Sequence, residues 1–210
     1  MRRRGQLRTG APAEGIAGVS LLELCVVLAV MLVVTASALP TMTAAMQQYR
    51  LRTAARDMAA MLQRSRMNCV RDNRHYAVQE RQFTQGNVSY SQLFLDRNGN
   101  ATLDGGEPVV QLPRGVRLTN ASVPALAAAT LGYTPQPPST ALSFNGMGLP
   151  CVLRNGICTN WDASGNAVGV VYFLQDSSHD TAAWAAVDVG PAGRARMWQW
   201  SSTSSQWKAQ

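Results

Sequence analysis

The chain has 210 residues, of which 46% are hydrophobic and 15% charged, and its formal net charge is +7. This size fits one globular domain with an appendage, and the hydrophobic fraction excludes both a disordered chain and a protein with several membrane spans. Two histidines and four cysteines leave no room for a histidine-rich metal centre and argue against a zinc ribbon. The basic charge lies in the N-terminal third, because residues 82–210 carry equal numbers of basic and acidic side chains.

The longest apolar run extends from Val19 to Leu39 and contains a single charge, Glu23. About 20 apolar residues can span a bilayer as a helix, and the arginines before the run predict a cytoplasmic N-terminus and an exported remainder. Three interpretations compete: a plain membrane anchor, a secretory signal peptide cut at Ala36-Ser37-Ala38, and a leader cut before the apolar run. Glu23 favours the third, because a carboxylate within an apolar helix is costly and usually functional.

The segment from Gly18 to Leu24, with the sequence GVSLLEL, resembles the type III signal of type IV pilins and pseudopilins. The resemblance implies that a prepilin peptidase cuts after Gly18 and methylates the new N-terminus at Val19, where the family usually has phenylalanine. Residues 1–18 would then be a cleaved leader. Glu23, fifth in the mature chain, would neutralise the amino terminus of a neighbouring subunit during filament assembly.

Helical periodicity continues beyond the apolar run, so residues 19–75 are predicted to form one long helix whose transmembrane part is 19–39. One helix face is apolar at i, i+3, i+4 and i+7 spacing, and consists of Ala55, Met58, Ala59, Leu62 and Cys69. A charged stripe recurs every seventh residue on another face, at Arg50, Asp57, Arg64 and Arg71. This stripe predicts either a solvated face or a contact with neighbouring subunits or an acidic partner.

A β-rich pattern begins at Tyr76, and residues 76–210 are predicted to form one globular domain, so the fold class is α+β. Eight strands are predicted, at 76–79, 88–95, 108–112, 116–119, 141–144, 169–174, 184–189 and 195–200. Residues 120–140 are rich in alanine, proline and threonine and predict a long loop, and the serine-rich tail after Trp200 is expected to fray.

Four later blocks resemble the successive blocks of the GspH/FimT family of minor pilins and pseudopilins: 50–66, 94–109, 142–148 and 185–198. The family fold is a long N-terminal helix followed by a globular domain of β-sheets packed on its C-terminal half. The resemblance therefore implies the same α+β architecture that the periodicity predicts.

An acidic loop at residues 96–107 places oxygen ligands at EF-hand spacing, namely Asp96, Asn98, Asn100, Asp104 and Glu107. Position six of this loop is Ala101, where a calcium loop needs glycine, and no flanking helix pair is evident. The alternative is a hairpin loop whose side chains cap their own backbone. Calcium is thus the one cofactor that the sequence suggests.

Cys151 and Cys158 are the favoured disulfide pair, since disulfides persist in exported domains. Bonds from Cys69 to either of them are the rival pairings. Cys69 is otherwise expected to be buried on the apolar helix face, and Cys25 to be a small apolar residue of the membrane segment.

The segment Gly193-Arg194-Ala195-Arg196 matches the GRxR motif of FimT-type pilins, which implies DNA binding at a pilus during natural transformation. If the segment is extended, Arg194 and Arg196 point the same way, with Trp198 and Trp200 on that face. Arginines would contact phosphates and the rings would stack on bases. Arg154 and Lys208 are conceivable further phosphate contacts. The alternative is two solvated arginines at the end of a structural strand.

No catalytic pattern is present in the sequence. His179 lies in the segment SSHD at 177–180, but adjacent residues cannot form a triad, and neither a G-x-S-x-G elbow nor a phosphate-binding glycine loop occurs. The chain is expected not to be an enzyme.

Together these features predict a minor pilin or pseudopilin of the type IV pilus or of type II secretion. It would reside in the bacterial inner membrane as a single-pass protein with a periplasmic domain, and then in the filament. Its expected partners are prepilin peptidase, other pilins or pseudopilins, and double-stranded DNA. The alternative is a secretion-tip pseudopilin with a structural role in protein export and no DNA binding.

Overall fold

The computed structural model of the chain describes residues 18–119, 123–136, 141–176, 178 and 183–210, without the side chains of 37–41. Of the predicted leader, only Gly18 lies among the described residues, and His179 lies outside them. The chain divides into two compact units, one ending at Thr43 and the other formed by Ala44–Gln210.

Helix α1 spans Leu21–Asp72. Ser20 caps it, because the Ser20 hydroxyl accepts a hydrogen bond from the Glu23 backbone N–H at 3.1 Å. The helix ends three residues before the predicted position 75, since Asn73 adopts a left-handed φ of 48° and the Arg74 N–H bonds back to the Cys69 carbonyl. Within the described side chains, no helical stretch is long and apolar enough to cross a membrane, so the span at 19–39 stays a prediction.

Eleven strands and a second short helix follow in the described residues. In chain order they are β1 Tyr76–Gln85, β2 Val88–Asp96, β3 Val109–Gln111, β4 Val116–Leu118, α2 Ala128–Leu131, β5 Leu142–Phe144, β6 Pro150–Arg154, β7 Ile157–Thr159, β8 Val170–Asp176, β9 Ala183–Val189, β10 Ala195–Ser201 and β11 Gln206–Ala209.

Two antiparallel sheets contain these strands. The first has the order β3-β2-β1-β5-β6-β7 and the second the order β11-β10-β9-β8-β4. In the second sheet, Trp198 of β10 lies opposite Ala186 of β9 and Ala209 of β11.

The main core joins α1 to both sheets. The apolar helix face predicted from the periodicity is confirmed, because Ala55, Met58, Leu62 and Cys69 are buried in this core with Ala59 packed beside them. Facing them are Leu93 and Leu142 of the first sheet and Val187 and Val189 of the second, among others. The structure thus has the α+β architecture that the sequence predicts.

An ion pair ties α1 to the second sheet. The Arg50 Nε donates to Asp176 Oδ2 at 2.9 Å, and Asp176 is fully buried at the end of β8. The Ser178 hydroxyl also donates to Asp176, at 2.6 Å, and accepts a bond from the Arg50 Nη2. Because a buried carboxylate needs compensating donors, Arg50 belongs to the packing of the domain rather than to the predicted solvated stripe.

The described residues 123–136 cover the outer face of the second sheet. Leu131 of α2 packs with Val171, Ala186 and Trp198, and Tyr133 lies beside them. The Tyr133 ring occupies the space next to Gly169, where an added Cβ would overlap a ring carbon. The predicted loop at 120–140 is therefore a packed cover in its described part.

The tail was predicted wrongly. Strand β11 pairs with β10, with Trp200 opposite Trp207 in an edge-to-face contact at 5.5 Å. Trp207 also packs against Phe173 and donates through Nε1 to the Pro124 carbonyl. These contacts of Trp207 order the tail, which was expected to fray because it is rich in serine.

Candidate functional sites

The predicted cleavage site and Glu23 lie at the start of α1. Val19 is 70% exposed, and the Glu23 side chain is exposed in the first helical turn. Glu23 forms no ion pair with any of the described residues. A carboxylate at this position interacts favourably with the helix macrodipole, and it remains free to meet a positive charge from outside the chain.

The first half of α1 presents an apolar surface. Its large apolar side chains from Val19 to Val34 are 45–81% exposed, and none of the chain's described residues buries them. A contiguous exposed apolar surface of this kind marks a contact with protein or membrane.

Gly193 is required by its surroundings. It has a φ of 76°, and an added Cβ would overlap the Gly148 carbonyl oxygen. The Arg66 guanidinium of α1 donates to the Gly193 carbonyl at 3.2 Å. The glycine of the GRAR segment therefore serves the packing of the turn against α1.

Arg196 is held in a buried polar network around Asp188. Its Nη2 lies 2.8 Å from Asp188 Oδ2 and also donates to the Leu131 carbonyl at 2.9 Å. Asp188 is fully buried and accepts two further bonds, from Trp198 Nε1 at 2.6 Å and from the Tyr133 hydroxyl at 3.0 Å. The hydrogen bond to Asp188 raises the pKa of the Arg196 guanidinium, and burial, with Asp188 next, raises the pKa of Tyr133.

Arg194 has a different environment from Arg196. It precedes β10, its side chain is exposed, and it takes part in none of the ion pairs among the described residues. Arg196, Trp198 and Trp200 do share the strand face that the sequence predicts, but residues 123–136 cover Trp198 on that face. The Trp198 and Trp200 rings pack against other residues of the domain, and Arg194 is the accessible arginine of the segment.

The acidic loop is folded around its own backbone. Asp96 accepts bonds from the N–H groups of Gly99 and Ala101, at 2.6 and 2.9 Å. Glu107 accepts from the N–H groups of Arg97 and Asp104, at 2.8 and 3.1 Å.

The side-chain amides of the loop also form hydrogen bonds within the loop. The side-chain amides of Asn98 and Asn100 donate to Asp104, and Ala101 takes a left-handed φ of 57° where glycine would be favoured. No group of three histidine, cysteine, aspartate or glutamate side chains suited to a metal occurs in the described part of the chain. Calcium binding stays a prediction.

The cysteines have the arrangement that the sequence favoured. Cys151 and Cys158 form a disulfide across β6 and β7, with a Cα–Cα distance of 5.4 Å. Cys69 is a buried thiol on α1, and burial raises its pKa to about 11. A thiol with this pKa is protonated at neutral pH and poorly reactive.

The domain matches a known family model. The model of the type II transport protein GspH matches residues 54–193, which is more than half of the chain. The chain belongs to the GspH family.

One curated relative supports this GspH assignment. The pilin-like protein PilA1 of Thermus thermophilus is 37% identical over 90 residues, which cover 43% of this chain and 54% of the relative. The chain thus spans about half the length of the curated relative that it matches. No solved structure matches the chain significantly.

Membership of the GspH family agrees with the α+β fold that the sequence predicts. The family match ends at Gly193, so Arg194 and Arg196 lie just outside it, as do residues 1–53. The N-terminal signal and the arginine pair therefore rest on this chain's own sequence and structure.

Sequence reasoning missed two residues that organise this GspH domain. Asp188 is a lone carboxylate within the apolar strand β9. A buried carboxylate needs a partner, and an antiparallel neighbour such as Arg196 can supply one. Arg66 carries no comparable signal, because its partner is a backbone carbonyl that only the folded chain brings near.

Proposed function

We propose that the chain is a filament subunit made as a prepilin, cleaved after Gly18 and assembled through the first half of α1. The exposed apolar surface from Val19 to Val34 carries this proposal. In a filament, neighbouring helices would cover that surface and keep its large apolar side chains out of water. Before assembly the same surface would lie in the inner membrane, with the globular domain in the periplasm.

Glu23 would pair with the methylated amino terminus of the next subunit. Its exposed carboxylate, free of ion pairs among the described residues, supports this role. Prepilin peptidase and other pilins or pseudopilins are the partners that the proposal requires.

The assembly role is tested by comparing Glu23→Gln with Asp57→Asn in cells that make the filament. Both changes remove one exposed carboxylate from α1, but only Glu23 lies beside the predicted cleavage site. We expect the Glu23 variant to be processed yet absent from sheared filaments, and the Asp57 variant to be incorporated normally. Normal incorporation of Glu23→Gln, or an intact mass that places cleavage after Ala38, would refute the proposal.

DNA capture is a second candidate function, favoured by the exposure of Arg194. We infer that Arg194 would contact a backbone phosphate of double-stranded DNA, while Arg196 holds β10 through Asp188. The same engagement of Arg196 favours the rival role, a type II secretion pseudopilin with no DNA binding. Lys208 and Arg154 are exposed as well, but they lie on the separate strands β11 and β6.

A salt-dependent titration with duplex DNA separates the two roles. It compares the full chain with Arg194→Ala and with the control Arg64→Ala, an exposed arginine of α1. DNA capture predicts binding that weakens with salt and is reduced several-fold in Arg194→Ala alone, because each phosphate contact releases counterions. Binding that is absent, or equal in both variants, would leave the structural export role.

A further inference from the structure

A groove runs along the seam between α1 and the strands β10 and β11. It consists of three adjacent clefts with volumes of about 150, 240 and 220 Å³, all of them lined by Gln199. Arg52 borders two of the clefts and donates through Nε to Gln199 Oε1 at 2.9 Å. We call these clefts the seam groove.

The charged side chains of the seam groove are all basic. They are Arg52, Arg56 and Lys208, and the lining drawn from the described residues contains no acidic side chain. All three are exposed, and none forms an ion pair with a described carboxylate. These three exposed cations give the described side chains of the groove a net positive charge, which favours an anionic ligand.

The buried lining of the first cleft is mainly aliphatic. Leu51 and Ala55 of α1 and Ala185 of β9 are each less than 5% exposed and line it with Met197. An aliphatic floor below a basic rim matches a ligand that places an apolar side chain inward and carboxylates at the rim.

Nucleic acid fits this groove less well. Strands without base pairing are held chiefly by stacking on aromatic rings. Trp184 and Trp198 also line the groove, but they are only 8% and 7% exposed. The Trp200 ring borders two of the clefts, but it is engaged edge to face with Trp207 at 5.5 Å.

We propose that the seam groove binds an acidic segment of a neighbouring filament subunit, in which carboxylates alternate with aliphatic side chains. The proposal rests on the proposed function, because assembly in a filament supplies the neighbour. Arg56 would pair with a carboxylate at the first cleft and Lys208 with one at the third, while Arg52, which borders both of these clefts, would contact the segment between them.

The test measures binding of a short fluorescent peptide of alternating glutamate and leucine to the full chain in non-ionic detergent. The comparison peptide has glutamine in place of glutamate. We expect the acidic peptide to bind more tightly at low salt than at high salt, and the neutral peptide to bind at least about fivefold more weakly.

Two double variants with equal charge change locate the site. Arg56→Glu/Lys208→Glu alters the groove, whereas Arg64→Glu/Arg81→Glu alters exposed arginines outside it. We expect the first to weaken peptide binding about fivefold or more and the second to leave it within about twofold. Circular dichroism of both variants checks that the fold is retained, and the single variant Arg56→Gln replaces the groove variant if that variant does not fold.

Three results would overturn the inference: equal binding of the neutral peptide, equal losses in the two double variants, or tighter binding of single-stranded DNA that the groove variant loses. Filament incorporation of Arg56→Glu/Lys208→Glu is measured separately. If the groove variant enters filaments normally and the unmodified chain does not bind the peptide, only this inference is refuted. If the unmodified chain fails to enter filaments, the proposed function is refuted.

Discussion

Arg196 and Asp188 face each other across the antiparallel strands β10 and β9, with Nη2 of the arginine 2.8 Å from Oδ2 of the aspartate. The carboxylate is fully buried, while the arginine side chain remains 35% exposed. The same carboxylate accepts bonds from Trp198 and Tyr133, so it connects β10 to the cover segment 123–136. The second arginine of the GRAR segment is therefore a structural residue, whatever ligand the first one meets.

Loss of Arg196 is expected to destabilise the domain. Arg196→Ala leaves a buried carboxylate with two neutral donors, which we expect to lower the free energy of unfolding by about 2–4 kcal/mol. Arg194→Ala serves as the control and should change it by less than about 0.5 kcal/mol, since Arg194 is exposed. Chemical denaturation of the two variants measures the difference, and similar values for both would contradict the structural role of Arg196.

Gly193 is expected to tolerate alanine less well than Gly156. Both glycines have a left-handed φ, of 76° and 78°, but only Gly193 has a backbone atom in the place of the added Cβ. We expect Gly156→Ala to lower the free energy of unfolding by about 1 kcal/mol and Gly193→Ala by about 2–3 kcal/mol. Thermal or denaturant unfolding compares them. Equal losses would show that the turn packs less tightly against Gly148 than the structure indicates.

The disulfide is expected to stabilise the hairpin of β6 and β7. Replacing both Cys151 and Cys158 by serine should lower the free energy of unfolding by about 2–3 kcal/mol in the entropic description of so short a loop. Cys25→Ser is the control, because Cys25 is a free and exposed cysteine. If the double serine variant unfolds at the same denaturant concentration as the control, the bond contributes nothing to stability.

Asp72 is expected to make the domain sensitive to strong acid. Hydrogen bonds from Arg71, and then from Tyr76 and Arg97, lower the pKa of Asp72 from 3.8 to about 2. Because the folded-state pKa lies below the unfolded value, the stability that Asp72 contributes is complete above about pH 4. It is lost as the pH falls through about 2.

Unfolding measured between about pH 4 and pH 2 checks this expectation. Asp72→Asn should show a weaker decline of stability over that window than the unmodified chain. Arg71→Gln should weaken the decline more than Arg97→Gln, since Arg71 is the largest cause of the lowered pKa. An undiminished acid dependence in Asp72→Asn would contradict the assignment.

Local patterns in the sequence were sufficient for most of the fold. The apolar face of α1 follows from 3.6-residue periodicity, and β9 and β10 follow from runs of apolar and aromatic residues. Strand β1 is longer than predicted and reaches Gln85, since its second half pairs with β2 in a hairpin. This half is mostly exposed, so no buried apolar pattern marked it as a strand. Strands β6 and β7 were missed because their run is short and is interrupted by Arg154, Asn155 and Gly156.

The candidate sites were less predictable than the fold. The GRAR segment could be located, but the roles of its residues depend on Asp188, Arg66 and Gly148, which are distant in sequence. The seam groove has no motif at all, because its cations come from α1 and β11 and meet only in the folded chain. Contacts of this kind require the register of the strands and the rotation of the helix to be known.

Two of the arginine bonds that join α1 to the rest of the domain have a mechanical consequence. Arg50 holds the helix to the buried Asp176, and Arg66 holds it to the Gly193 turn, about 24 Å farther along the axis at 1.5 Å per residue. A pulling force transmitted through the helix would have to shear both attachments together with the apolar face between them. A helix fixed at two separated points also resists rotation about its own axis. Torque and tension would therefore be transmitted to the sheets while the contacts between helix and sheets stay intact.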